Sequence, residues 1–273
     1  RLKVACNEGT CNTLPFIDIH ARSGAAYINK NKQVDPNSKM NIAASRRRKG
    51  FTLVELLVVI AIIVALAALA TPQIFKALKR AALAEAVSNA RQVKLALDTF
   101  ATDFDGQFPN DDTGEGVMQG GTGTTYSNDY FRQLFLSGST ESESIFWVKN
   151  SGVAAKGAPD DKIKESGKMQ PELILEGGDV HWAYISDQTN LGTPSRPLLL
   201  DGYPKNESEF DPETWDNKVI VVRIDGAAKP MRMRVTDNKV LDGSNKDILS
   251  SSADAWDGDS TQDILKQPEP RDN

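Results

Sequence analysis

The residue with the most chemical leverage in this chain is an acid in an apolar setting. Glu55 interrupts a largely apolar run, residues 53–75, which carries no charged or strongly polar side chain from Leu56 to Ala70. At about 1.5 Å per residue a helix over this run is roughly 34 Å long, enough to cross a hydrocarbon core of about 30 Å. A carboxylate left without a partner near the edge of such a helix costs roughly a few kcal/mol. Two readings follow: Glu55 snorkels to the headgroups, or it meets a cation supplied from elsewhere. Immediately before the run stand Arg46, Arg47, Arg48 and Lys49, and then Gly50. A cationic flank of this kind stays cytoplasmic, which sends the C-terminal bulk to the far side of the membrane.

Other residues with reactive potential are few, and none assembles into a catalytic pattern. His181 is the only histidine after Gly50, and it lies beside Trp182 in an alternating stretch, which predicts a core or surface histidine rather than a base. No Ser/His/Asp spacing and no HExxH helix is present, so no catalytic residue is assigned. Cys6 and Cys11 lack further ligands at zinc spacing, and no metal site is assigned to them. The glycines around 114–116 and 120–123 follow no strand and match no phosphate-binding fingerprint. Asp257-Gly258-Asp259 resembles part of a calcium loop, but no twelve-residue EF-hand pattern fits. A solvated acidic tail is the simpler reading; calcium stays open, and no other cofactor is implied.

Charge divides the chain unevenly. Residues 1–50 carry ten Lys/Arg and three Asp/Glu, leaving 22 cations and 34 acids in the rest, a net of −12. A part this acidic argues against nucleic-acid binding, which wants a basic face.

Several elements must position Glu55 and carry the remainder. Pro72 lies within the helical pattern and removes one backbone hydrogen bond, which predicts a gentle kink rather than a boundary between two helices. Helical periodicity resumes at once: Leu83, Val87, Ala90, Val93, Leu97, Phe100 and Phe104 recur at three- and four-residue steps. Between them Lys79, Arg80, Glu85, Arg91, Lys94 and Asp98 are expected to be solvated or to touch other subunits. Asp105-Gly106 supplies a C-cap and Pro109 prevents continuation, giving one helix of about 50 residues. Residues 107–127 read as a flexible loop, and 128–149 as holding a short helix with Tyr130, Leu134 and Phe135 on one side. Strands follow at 179–186, as a half-buried alternation, and at 197–200. Two more, 218–224 and 231–235, flank a hairpin turn at Asp225-Gly226-Ala227-Ala228. The predicted fold is α+β: a long N-terminal helix, membrane half plus amphipathic half, packed on an antiparallel sheet of about four strands.

The stretch Arg48-Lys49-Gly50-Phe51-Thr52-Leu53-Val54-Glu55-Leu56-Leu57 and the apolar run after it resemble the class III signal of type IV pilins and type II secretion pseudopilins. The resemblance is close over about residues 40–72 and loose elsewhere. It implies cleavage after Gly50 by a prepilin peptidase, which is also a methyltransferase and methylates the new N-terminal residue, Phe51. It places the family's glutamate on Glu55, as half of an intersubunit pair with the ammonium that cleavage creates at Phe51. Such pairing offsets two costly charges and fixes axial register. It also implies partners: copies of itself and other pilin-like subunits in a helical filament, an inner-membrane assembly platform, and the membrane itself. The location implied is the bacterial inner membrane, single pass, with the C-terminal domain periplasmic or extracellular in a pilus or pseudopilus.

The expected organisation is then a leader or upstream extension at 1–50, with 1–39 preceding the first methionine, Met40. A transmembrane and assembly helix follows at 51–75, its amphipathic continuation at 76–106, a globular pilin-like domain at 107–267 and a frayed end at 268–273. With no cysteine after Gly50, the C-terminal disulfide loop of many major pilins is ruled out, which favours a pseudopilin or a cysteine-free type IV pilin, the pseudopilin first. A different class stays open: an anchored binding module whose ligand surface is the aromatic and glycine loops of 107–149. An anchored hydrolase has only domain size behind it.

Overall fold

The computed structural model describes residues 50–117, 125–149, 151–154, 157–204 and 208–271. Arg46, Arg47, Arg48 and Lys49, the cysteines, Met40 and the expected leader apart from Gly50 lie outside the described residues.

One helix dominates. α1 runs Leu53–Asp103 without a break, and Pro72 is inside it. The proline's missing N–H withdraws the donor that the Ala68 carbonyl would otherwise meet. One residue earlier, the Thr71 hydroxyl donates to the Ala67 carbonyl at 2.7 Å, and the helix continues as a single element. It stops where the sequence predicts. Asp105 and Gly106 both adopt positive φ (52° and 82°), and the Gly106 N–H donates to the Ala101 carbonyl at 2.8 Å. A side chain at Gly106 would collide with Asn190 at 2.7 Å, so glycine is required there twice over.

The two halves of α1 meet different surroundings. Residues 53–81 are exposed throughout, whereas Ala82, Ala86, Val87, Ala90, Val93, Ala96, Leu97, Phe100 and Ala101 are buried. Small residues at 82, 86, 90 and 96 let the sheet approach closely, and Phe100 stacks on Phe104 with centroids 4.0 Å apart. Lys94 departs from the expectation of a solvated charge. It is buried, pairs with Asp98 one turn on, and lies 5.3 Å from the centre of the Phe108 ring.

After α1 the chain forms α2 (Asp111–Val117) and α3 (Ser127–Leu136). α2 corrects the expectation of a continuous flexible loop over 107–127. Asn110 organises its start: the Asn110 side chain accepts the Thr113 N–H and the Thr113 hydroxyl accepts the Asn110 N–H, both at 2.8 Å. Tyr130, Phe131, Leu134 and Phe135 of α3 are fully buried.

A two-residue hairpin, β1 (Lys164–Glu165) and β2 (Lys168–Met169), precedes the main sheet. That sheet is built from β3 (Trp182–Ile185), β4 (Pro197–Asp201), β5 (Lys218–Arg223), β6 (Ala228–Arg234), β7 (Lys239–Val240) and β8 (Leu265–Lys266). Its order is β7-β6-β5-β4-β3-β8, antiparallel throughout. The α+β expectation holds, with six strands in place of about four. The two additions, β7 and β8, are two-residue edges inside the Asp-rich segment that reads as a solvated tail.

That segment also corrects the half-buried reading of β3. All four β3 residues are buried, because both faces of the sheet are covered. Trp182, Tyr184, Ile220 and Val222 pack with α1 and α3, while Ile185, Leu200, Val219 and Val221 pack under Ile248, Ala253 and Trp256 from the C-terminal segment. Arg196 fastens this cover: its Nε donates to the Ala255 carbonyl at 2.8 Å and its guanidinium lies 5.1 Å from the Trp256 ring centre.

The described chain end is docked as far as Glu269, where fraying from 268 was expected. Ser127 N–H donates to the Gln267 carbonyl, Glu269 N–H to the Asn128 side chain, and Gly178 N–H to the Glu269 carbonyl, at 2.9–3.0 Å. Arg132 is the hub: it pairs with Asp129 at 2.6 Å and Glu269 at 3.3 Å and donates to the Ile174 and Leu175 carbonyls.

Candidate assembly helix and processing site

Gly50 and Phe51 precede α1 and are exposed, Phe51 by 72%. A side chain added at Gly50 would meet nothing within 4 Å. The fold therefore imposes no glycine at this position; any requirement for one comes from a molecule that reads the chain there. Glu55 lies in the first turn of α1, where a carboxylate complements the helix N-terminus. Its flank is apolar and exposed: Leu53, Val54, Leu56, Leu57, Val58, Val59, Ile60, Ile62 and Ile63 are between 45% and 79% accessible. An apolar surface that long is stable only in lipid or against other apolar helices. α1 is the one helix among the described residues long and apolar enough to cross a membrane, and the apolar window is wholly unburied by its own chain.

Pro72 lies about 25 Å along the helix from Glu55 at 1.5 Å per residue. Acid and proline thus lie on one helix, and Gly50 and Phe51 immediately precede it in the chain. Arg46, Arg47, Arg48 and Lys49 lie outside the described residues.

The globular part holds one constellation that the sequence spacing did not reveal. Ser151, His181 and Asp201 come together: Ser151 Oγ lies 2.6 Å from His181 Nδ1, and His181 Nε2 lies 2.8 Å from Asp201 Oδ1. Hydrogen-bond counting assigns the proton. Ser151 Oγ already accepts the Val153 and Ala154 N–H groups at 3.0 and 2.9 Å, so its own hydroxyl donates to Nδ1 and the ring's Nε2–H donates to Asp201. Asp201 Oδ2 accepts the Ile220 N–H at 2.9 Å. The serine's lone pairs are engaged and the imidazole is 1% exposed. This arrangement pins a loop to β4 and β5; it does not present a nucleophile to a substrate. Only the fold brings these residues together, since 30 and 20 positions separate them along the chain.

Two further features concern ionisable groups. Glu143 is buried and accepts the Leu175 N–H at 2.7 Å; burial, opposed by that N–H and aided by the charges of Asp179, Asp161 and Asp160, raises its pKa. In the acidic C-terminal segment, Lys246 Nζ sits 2.9 Å from Asp254, whose pKa the Ser244 hydroxyl and that ammonium hold down. Asp242 accepts the Ser244 and Lys246 N–H groups at 2.9 Å. Among the described residues no group of three His, Cys, Asp or Glu is arranged to hold a metal ion.

With this geometry established, comparison with known families is specific. Residues 45–71 match the family described as the prokaryotic N-terminal methylation motif. No curated protein and no solved structure matches the chain. The match takes in Gly50, Phe51, Glu55 and the apolar start of α1, and leaves the globular part unaddressed. The motif implies processing by a prepilin peptidase and assembly with other pilin subunits. On the motif, the long apolar helix and the α+β arrangement together, the chain carries the prepilin-type signal of type IV pilin-like proteins.

Proposed function

We propose that this chain is a structural, non-enzymatic subunit of a type II secretion pseudopilus. A prepilin peptidase of the inner membrane cuts after Gly50 and methylates Phe51. The mature chain then leaves the bilayer by packing α1 against α1 of other subunits, on an assembly platform in the same membrane. Glu55 of one subunit pairs with the Phe51 ammonium of its neighbour, so the cut supplies the cation and sets the axial step. No cofactor is needed for this role. The observation that carries the proposal is the methylation motif lying on a helix whose first half is apolar and exposed and whose second half is the domain's core.

A type IV pilin is the second reading, and the cysteine-free sequence after Gly50 favours the pseudopilin. An anchored binding module is less well supported by the fold. Of the aromatics in 107–149, Phe108, Tyr130, Phe131, Phe135 and Phe146 are within 1% of complete burial, and only Tyr126 and Trp147 are partly exposed. Mass spectrometry of the membrane-extracted protein tests the processing step; an N-methylated N-terminal Phe51 is expected, and a terminus upstream of it refutes the proposal. Identifying the adjoining genes separates secretion from pilus assembly.

A further inference from the structure

We propose that Lys76 and Arg80 form a contact site for the phosphate of anionic lipids in the leaflet where α1 leaves the membrane, with Lys79 tying the domain down at the same level. The uncharged part of α1 is Leu56 through Phe75, twenty residues, or about 30 Å, the thickness of a hydrocarbon core. The next residue is Lys76, so the cations at 76, 79 and 80 fall in the headgroup layer. They are related by steps of three and four and share one helix face. No acid occurs on α1 between Glu55 and Glu85 to neutralise them.

Their engagement differs. Lys79 donates to the Glu213 carbonyl at 2.9 Å and lies 3.8 Å from Asp216, so it fastens the turn before β5 to the helix. Lys76 and Arg80 are exposed and make no hydrogen bond or ion pair among the described residues. Two uncommitted cations at the exit of a membrane helix complement the negative charge of phosphodiester headgroups, each cation able to meet one phosphate.

The inference rests on the membrane reading of α1 and adds a consequence for processing. Cleavage after Gly50 discards Arg46, Arg47, Arg48 and Lys49 and leaves one ammonium at Phe51. The flank charge of the mature helix then lies at its exit end. Such a helix resists sliding inward, because Lys76 and Arg80 would enter hydrocarbon.

The test uses the full processed chain in detergent with equal amounts of phosphatidylglycerol and phosphatidylcholine of identical acyl chains, with bound lipids counted by native mass spectrometry. Each cation near an anionic surface is worth about a fivefold preference. The wild type is therefore expected to favour phosphatidylglycerol by on the order of twentyfold. Lys76→Gln with Arg80→Gln brings the ratio to near parity, and Lys76→Arg with Arg80→Lys retains it. Parity in the wild type, or an unchanged ratio in the Gln variant, overturns the proposal. So does a Gln variant that fails to assemble while the wild type shows no lipid preference, which assigns the cations to a neighbouring subunit instead. Carbonate washing of vesicles keeps the two levels apart. A chain washed from the bilayer refutes the membrane reading and this proposal together, whereas a retained chain without lipid preference refutes only the lipid contact.

Discussion

Replacing Glu55 by valine separates assembly from folding, and the structure sets the size of both effects. The first buried residue of α1 is Ala82, 27 residues beyond Glu55, or about 40 Å along the helix. Nothing in the folded core is within reach of position 55, so the domain's stability is expected to change by less than about 0.5 kcal/mol in Glu55→Val. Assembly is another matter. Removing one member of a buried ion pair strands the other, at a cost of about 3–5 kcal/mol. The introduced valine packs well in an apolar bundle but leaves the Phe51 ammonium of the neighbouring subunit uncompensated. Each contact is then weakened on the order of 10²- to 10⁴-fold. The assay compares three readouts in one strain: N-terminal sequencing for cleavage, filament recovered by shearing for assembly, and thermal melting for the domain. The expected pattern is cleaved protein with an unchanged melting temperature and almost no filament. Normal filament recovery refutes the register role of Glu55. A lowered melting temperature refutes the division of α1 into an assembly half and a core half.

Gly50→Val is expected to leave uncleaved precursor in the membrane with an unaltered melting temperature, because the added side chain meets nothing within 4 Å; mature-sized protein on a gel counts against the processing site. Phe100→Ala removes a fully buried ring stacked on Phe104 and is expected to cost about 3–5 kcal/mol in urea unfolding; a loss under about 1 kcal/mol means the helix–sheet core is not where the stability lies. Glu143→Gln is expected to raise stability at about pH 7, since the amide oxygen can still accept the Leu175 N–H without a buried charge. Because burial raises the Glu143 pKa, its contribution is full below the ordinary value of 4.5 and fades as pH rises through the raised value. Unfolding measured from about pH 4 to 8 is therefore flatter in the variant, and a slope equal to the wild type's removes Glu143 as the cause.

The parts of this molecule legible in the sequence are those set by local physics. The apolar run, the stripe from Leu83 to Phe104 and the Asp105-Gly106 stop are periodicity and cap signals, and they place α1 to within a residue or two. The β5–β6 hairpin follows from the turn residues at 225–228. What sequence hid depends on distant partners. The segment after Val240 reads as solvated because its acids dominate, yet Ile248, Ala253 and Trp256 close the outer face of the sheet. Two-residue edges such as β7 and β8 carry no period to detect. Lys94 looks like a surface charge until Phe108 and Asp98 fold around it. The Ser151–His181–Asp201 relay joins residues 30 and 20 positions apart, and its only sequence signal was a histidine next to a tryptophan in a strand.

The spacing along α1 carries the final step. Phe75 ends the uncharged run and Ala82 is the first buried residue, so residues 76–81 belong neither to the uncharged run nor to the buried core. Six residues of helix are about 9 Å, close to the roughly 5–8 Å that one headgroup layer adds to a bilayer. A shorter interval would press the sheet and its covered outer face into the headgroups. A longer one would expose bare helix between domain and membrane, with no packing to stabilise it. On the proposed membrane reading, this length lets one uninterrupted helix pass from lipid, through charge, into a protein core. The one helix then has two distinct parts: residues 53–81 are exposed, while its residues from Ala82 onward contribute to the core of their own domain. Under the proposed function, subunits exchange lipid for one another along residues 53–75 without unfolding anything beyond Ala82.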